Sequence, residues 1–287
     1  MTLSHPVDSR APATAARSTR LIAIANQKGG VGKTTTAINL SAAMVEGGAR
    51  VLLIDLDPQG NASTGVGLFA ADRERTAYDL LIGEATAADC IMKTRYEGFD
   101  VIPSSADLSG LDVELFDDPH RAQRLRDALV PEGEESALAG YDIVLIDCPP
   151  SLNILTVNAM TAAGSVLVPL QCEFFALEGL SQLLATIRRV QQRLNPSLVV
   201  EGILLTMYDR RNNLSAQVAV DVRETLGQQV YTTIIPRNVR LSEAPSHAEP
   251  VTAYDSACAG SEAYRRLAAE VAAGQPGQTP ALEEASP

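Results

Sequence analysis

Several features are absent from this sequence. It contains no C-x-x-C pair, because its four cysteines, Cys90, Cys148, Cys172 and Cys258, lie far apart. Neither a zinc site nor a disulfide framework is suggested, and reduced thiols are the plain reading. No apolar run reaches the roughly 18 residues that a membrane-spanning helix needs, and Met1 to Thr19 lacks the apolar stretch of a signal peptide. A soluble, intracellular protein is therefore expected. Positive charge is scarce: 23 Lys and Arg stand against 35 Asp and Glu, for a formal net charge of −12. That balance argues against a histone-like basic coat, so contact with nucleic-acid phosphates would have to come from a local patch of arginine and lysine. There is no internal repeat and no sign of a second domain boundary.

What is present is enough apolar residue, 46% of 287, to bury a full core. Residues 1–19 and 274–287 are rich in Ala, Ser, Thr, Pro and charged residues without apolar periodicity, and read as disordered tails around one domain, 20–273. Between them, short β-branched runs alternate with longer helical patterns. Strands are expected at Leu21–Ala25, Val51–Asp55, Asp100–Ile102, Asp142–Asp147, Ser165–Pro169, Val199–Thr206 and Val230–Ile235. Helices are expected at Thr34–Glu46, Leu152–Ala163, Leu177–Leu194, Leu214–Leu226 and Ser261–Ala273. Continuous apolar strands alternating with helices predict an α/β fold with a doubly wound, mainly parallel sheet and helices on both faces. The stretch from Ala62 to Pro131 is the least regular.

Directly after the first strand comes Gln27-Lys28-Gly29-Gly30-Val31-Gly32-Lys33-Thr34-Thr35, followed by a helical pattern. Strand, glycine loop, helix is the context of a phosphate-binding loop. Its glycines let successive backbone N–H groups turn toward phosphates, and the helix offers its positive end. Lys33 supplies a charge for the β and γ phosphates, and the Thr34 hydroxyl is suited to Mg²⁺. A turn that merely joins strand to helix accounts for the three glycines but not for Lys33-Thr34.

Two acidic elements follow. Val51-Leu52-Leu53-Ile54-Asp55-Leu56-Asp57-Pro58 ends a strand in two carboxylates, where ligands bind in open α/β sheets. If the strand continued, Asp55 and Asp57 would point the same way, and either could serve a magnesium nucleotide or orient an attacking water. Tyr141-Asp142-Ile143-Val144-Leu145-Ile146-Asp147-Cys148-Pro149-Pro150 has the Walker B pattern, with Asp147 placed to hold Mg²⁺. A lone acid after a strand is more often a cap or turn residue, but the upstream glycine loop favours the metal role.

The loop departs from G-x-x-x-x-G-K-[ST] by having Gln27 at the first glycine position and an extra lysine, Lys28, beside it. That form resembles the deviant P-loop ATPases, which include ParA, MinD, the nitrogenase iron protein and arsenite-pump ATPases. With D-L-D-P-Q-G-N, I-D-C-P-P-S-L and the late stretch Ile235-Pro236-Arg237-Asn238-Val239-Arg240-Leu241-Ser242-Glu243-Ala244-Pro245, the chain from Arg20 to about Ala273 resembles a short, chromosomal-type ParA, also called Soj.

The resemblance implies an ATP hydrolase that uses Mg²⁺ and forms an ATP-dependent homodimer in which Lys28 reaches the partner's phosphates. It implies that Asp57 orients the attacking water and that Asp55 lies near the metal, with residues 28–35 on the phosphates and Pro236 and Asn238 on the base or ribose. It further implies nonspecific double-stranded DNA as a partner, contacted by Arg211 and Arg240 with Arg210 and Arg237 as helpers. A ParB-like (Spo0J-like) protein is implied to stimulate hydrolysis, on the nucleoid in the cytoplasm. The alternative is a MinD-like division-site ATPase, which would call for a basic amphipathic helix on the membrane; residues 274–287, with Glu283, Glu284 and several prolines, are unsuited to one. An electron-transfer ATPase would need cysteine pairs, and an ATP-dependent ligase a substrate pocket that the sequence does not reveal.

Overall fold

The computed structural model describes residues 19–130, 136–174 and 176–274; of the expected tails, 1–19 and 274–287, all but Thr19 and Gly274 lie outside the described residues. Among the described residues eight strands form one sheet: β1 (Arg20–Ile24), β2 (Val51–Asp55), β3 (Met92–Lys93), β4 (Phe99–Ile102), β5 (Ile143–Asp147), β6 (Ser165–Gln171), β7 (Val199–Tyr208) and β8 (Val230–Pro236). Their order is β3-β4-β2-β5-β1-β6-β7-β8. Every pairing is parallel except β3 with β4.

The strands bury both faces, which explains why they read as unbroken apolar runs. Side chains alternate between two cores. Ala23, Leu52, Ile54, Val144 and Ile146 face helices that include Ile154–Ala162 and Ala176–Arg193. Ile22, Ile24, Leu53 and Leu145 face the helices Lys33–Glu46 and Ala259–Ala272. Because Ile54 and Ile146 belong to the first core, the next residues, Asp55 and Asp147, turn to the second, beneath the helix that follows the glycine loop. Among the described residues no helix is long and apolar enough to cross a membrane.

The expected strands and helices are all present, with ends shifted by up to two residues. The helix expected from Leu152 starts at Ile154, because Asn153 caps it: its side-chain oxygen accepts from the Thr156 backbone N–H at 3.3 Å. The antiparallel β3 has no counterpart in the sequence reading, since two residues carry no periodicity. The second strand ends at Asp55, as expected, where the Asp55 Oδ1 accepts from the Asp57 backbone N–H at 3.1 Å and turns the chain away, so the strand alternation that would align Asp55 with Asp57 does not reach Asp57.

The strand order reverses around β1. From β1 the chain runs past β5 to β2, and from β5 it crosses back over β1 to β6. Ligands in doubly wound sheets sit outside the carboxyl ends at such a switch point, and it is β1 that the glycine loop follows.

Candidate functional site

The glycine loop is shaped by local backbone demands. Gly30 and Gly32 have φ of 74° and 89°, values that side chains with a Cβ resist, and Gly32 is the residue that starts the helix Lys33–Glu46. Asn26 anchors the entry, donating from Nδ2 to the Pro169 carbonyl at 2.8 Å while its Oδ1 accepts from the Lys28 N–H at 3.0 Å. Thr206 on β7 anchors the far side by donating to the Val31 carbonyl at 2.9 Å. No side chain caps the helix, so its first N–H groups face the loop's interior with the helix dipole behind them.

Lys33 is 6% exposed, and its ammonium donates to the Lys28 carbonyl at 3.0 Å. An ammonium has three donors, so a buried one with a carbonyl partner has capacity for anionic oxygens. Burial lowers its pKa, while Asp147, Cys148 and Asp57 nearby favour the charged form. Thr34 and Thr35 are half-buried beside it. Lys28 points elsewhere: its ammonium is exposed and ion-paired with Glu173 at 2.7 Å, just beyond β6.

Asp55 and Asp147 stand side by side in the β2–β5 register, both fully buried. Their surroundings differ. Asp55 accepts from the Ser63 hydroxyl at 2.7 Å, the Ser63 N–H at 2.9 Å and the Asp57 N–H at 3.1 Å. Neither oxygen of Asp147 has a hydrogen-bond partner. Burial raises the Asp55 carboxyl to about 6 against those bonds. Burial also raises Asp147 well above the usual range, helped by Asp55 and opposed by the adjacent Thr34 hydroxyl, which lies close by without making a hydrogen bond of normal geometry. Buried polar atoms without partners are uncommon in folded proteins and point to a missing ligand. Thr34 and Asp147 thus offer oxygens for a hard cation such as Mg²⁺. Asp55, expected near the metal, has its oxygens committed to the loop after β2.

Asp57 is 8% exposed; its Oδ1 accepts from the Gln59 N–H at 3.1 Å. The loop it sits on is tied by residues that the sequence reading missed. Ser104, beyond β4, donates to the Asp57 carbonyl at 2.5 Å. Arg73 donates to the carbonyls of Gly60, Leu68 and Ser104. Nothing in their local spacing signals either residue, because their partners come from distant segments.

Pro236 and Asn238 line a cavity of about 370 Å³ together with Gly32, Thr35, Met207 and Tyr264. It adjoins the start of the phosphate-loop helix, and its size is that of a small-ligand pocket. Met207 holds a left-handed φ of 51°, which a non-glycine residue adopts at a cost. A second groove, about 740 Å³, shares Pro236, Arg237 and Asn238 with that cavity and adds Arg210, Arg211 and Arg266. Arg240 is not brought into this groove. It pairs with Glu243 at 2.8 Å and Asp255 at 3.2 Å. His247 stacks on Tyr254 with ring centroids 4.8 Å apart.

A glycine loop at the switch point, with a buried lysine and an unsatisfied carboxylate on the adjacent strand, puts the chain in the class of P-loop ATP hydrolases. Comparison with known proteins agrees and goes further. A family model described as an AAA domain matches residues 19–200. The chromosome partitioning protein ParA of Caulobacter vibrioides is 62% identical over 88% of this chain and 93% of its own length. The sporulation initiation inhibitor protein Soj of Bacillus subtilis is 53% identical over 88% of this chain and 98% of its own. A solved Mycobacterium smegmatis structure, described as a cobyrinic acid a,c-diamide synthase with bound ATP analogue and magnesium, is 37% identical with a TM-score of 0.79, covering 91% of this chain and 100% of that one. The chain belongs to the ParA/Soj family of chromosome-partitioning ATPases.

Proposed function

We propose that this protein is an ATP-driven switch for DNA partition, with residues 20–273 acting as one ATPase domain. With ATP and Mg²⁺ bound, two copies pair and bind DNA without sequence preference on the nucleoid in the cytoplasm; hydrolysis, stimulated by a ParB-like partner, releases them. The observation that carries this reading is the shared wall of Pro236, Arg237 and Asn238 between the cavity at the phosphate loop and the arginine groove. Such a wall lets occupancy of one site shift the population of states at the other. Identity of 62% to a partitioning protein against 37% to the synthase-named structure favours partition over an ATP-dependent ligase.

In this reading the N–H groups of Gly29 to Thr35 and the Lys33 ammonium hold the triphosphate, Pro236 and Asn238 take the base or ribose side, and Thr34 and Asp147 would hold the metal. Bound magnesium supplies charge neutralisation at the β and γ phosphate oxygens. Asp57 orients the attacking water. Lys28 exchanges Glu173 for the phosphates of the second copy, a low-cost exchange because the ion pair is exposed on both sides. Arg210, Arg211 and Arg237 meet DNA phosphates, giving salt-sensitive affinity. Arg240 joins them by giving up Glu243 and Asp255.

The test is DNA binding with and without ATP for the wild type, Lys33→Ala and Arg211→Glu. Binding is expected with ATP alone, to weaken steeply with salt, and to fall at least about tenfold in either variant. Binding indifferent to ATP and to both substitutions would sink the partition reading.

A further inference from the structure

We propose that Arg73 is a positioning residue for hydrolysis, bracing the turn that presents Asp57 without touching the nucleotide itself. The inference rests on Asp57 as the residue that orients the attacking water.

The guanidinium spans three separate pieces of chain. Nη2 donates to the Thr64 hydroxyl at 2.8 Å, the Leu68 carbonyl at 2.8 Å and the Gly60 carbonyl at 3.2 Å. Nε reaches the Leu68 carbonyl at 3.1 Å, and Nη1 reaches the Ser104 carbonyl at 2.9 Å. All these acceptors are neutral, and among the described residues Arg73 makes no ion pair. A planar fork of five donors can bridge such a set, whereas an ammonium cannot satisfy it from one point.

Two of the clamped segments lead to Asp57. Gly60 donates its N–H to the Asp57 carbonyl at 2.8 Å. Ser104 donates its hydroxyl to the same carbonyl at 2.5 Å, and its N–H to the Ser63 hydroxyl at 3.1 Å. Ser63 in turn donates to Asp55, which holds the Asp57 N–H. The Asp57 carbonyl is thus held by two residues that Arg73 itself grips, Gly60 and Ser104, and the Asp57 N–H by Asp55, which Ser63 links back to Ser104. The fit is close: a Cβ on Gly60, whose φ is +63°, would lie 2.3 Å from Arg73 Nη1. Half-buried positive charge spent on carbonyls is a costly way to close a surface loop, since burial alone works against the guanidinium's charge, with Asp55 the main carboxylate favouring it. Holding a catalytic carboxylate to a fraction of an ångström is what such expenditure would serve, because misplacement by about 1 Å can cost about 100-fold in rate.

The experiment measures kcat and KM for ATP, together with Kd for a fluorescent ATP analogue, in Arg73→Ala, Arg73→Lys, Asp57→Ala and the double variant Arg73→Ala/Asp57→Ala. Arg73→Ala is expected to lose kcat by on the order of 10- to 100-fold with Kd changed less than about twofold, and Arg73→Lys to fall between it and the wild type. In the Asp57→Ala background, removing Arg73 should cost nothing further, as residues acting as a unit are non-additive. Equal losses in kcat and analogue affinity, or additive losses in the double variant, would make Arg73 merely structural and overturn the proposal. If Arg73→Ala does not fold by circular dichroism, Arg73→Lys decides, and wild-type kcat in that variant overturns it. Should Asp57→Ala itself turn over normally, the reading of Asp57 fails; should Asp57→Ala be dead while the Arg73 variants are unimpaired, only the present inference fails.

Discussion

Two aspartates close neighbouring strands in register, both fully buried, yet one accepts three well-formed hydrogen bonds and the other none, with only the Thr34 hydroxyl close by. Asp55 holds together the loop after β2 through Ser63 and the Asp57 backbone. Asp147, one strand over, keeps both oxygens unpartnered next to Thr34 and within the field of Lys33. Burial and sequence position are the same for both, so neither distinguishes their roles; the inventory of donors does. A carboxylate with its bonds made is architecture. One left without them, beside a buried ammonium, is poised for a cation or a proton.

The sharpest way to break that contrast is to neutralise each acid in turn. Asp147→Asn should lower magnesium-dependent ATP turnover by on the order of 100-fold while leaving urea stability unchanged or higher, because it removes an unsatisfied buried acid. Retained turnover would strip Asp147 of the metal role. Asp55→Asn should do the reverse in emphasis. Its amide NH₂ would face the Ser63 and Asp57 donors, so a loss of about 3 kcal/mol is expected in urea denaturation. Equal stability losses in the two variants would erase the distinction.

A smaller effect concerns pH. Both carboxyls are raised above their unfolded value, Asp55 to about 6 by burial foremost, and Asp147 by burial and then Asp55. A raised carboxyl binds its proton more tightly folded than unfolded. Its stabilising contribution is therefore greatest at low pH and is lost as pH rises through the folded value, levelling off above about 6 for Asp55. Measured without nucleotide, the stability of Asp147→Asn relative to the wild type should climb as pH rises above the ordinary carboxylate range of about 4, with a limiting slope of about 1.4 kcal/mol per unit. A flat difference would show that Asp147 ionises normally.

Much of this site was legible because its signals are local. A glycine loop, a buried lysine position and a helix start fall within nine consecutive residues, Gln27 to Thr35, and the apolar strands before Asp55 and Asp147 announce themselves by composition. Other parts were not. Arg73 and Ser104 act on Asp57 from 16 and 47 residues away in sequence, with no motif between them, and only the packed loops make them neighbours. The arginines illustrate the same limit. The resemblance grouped Arg211 with Arg240, whereas the fold groups Arg210, Arg211 and Arg237 with Arg266 from the last helix and gives Arg240 to Glu243 and Asp255.

The sequence by itself determined the longer elements and their order, since hydrophobic periodicity and glycine placement act over a few residues at a time. It also determined the phosphate loop, whose geometry needs little more than its own backbone and the helix it begins. Tertiary structure alone decided which of two similar aspartates is satisfied, which arginines share a groove, and what holds Asp57 in place. Hydrogen bonds and ion pairs are short-range, and whether a buried group finds a partner depends on segments that meet only after the sheet has assembled.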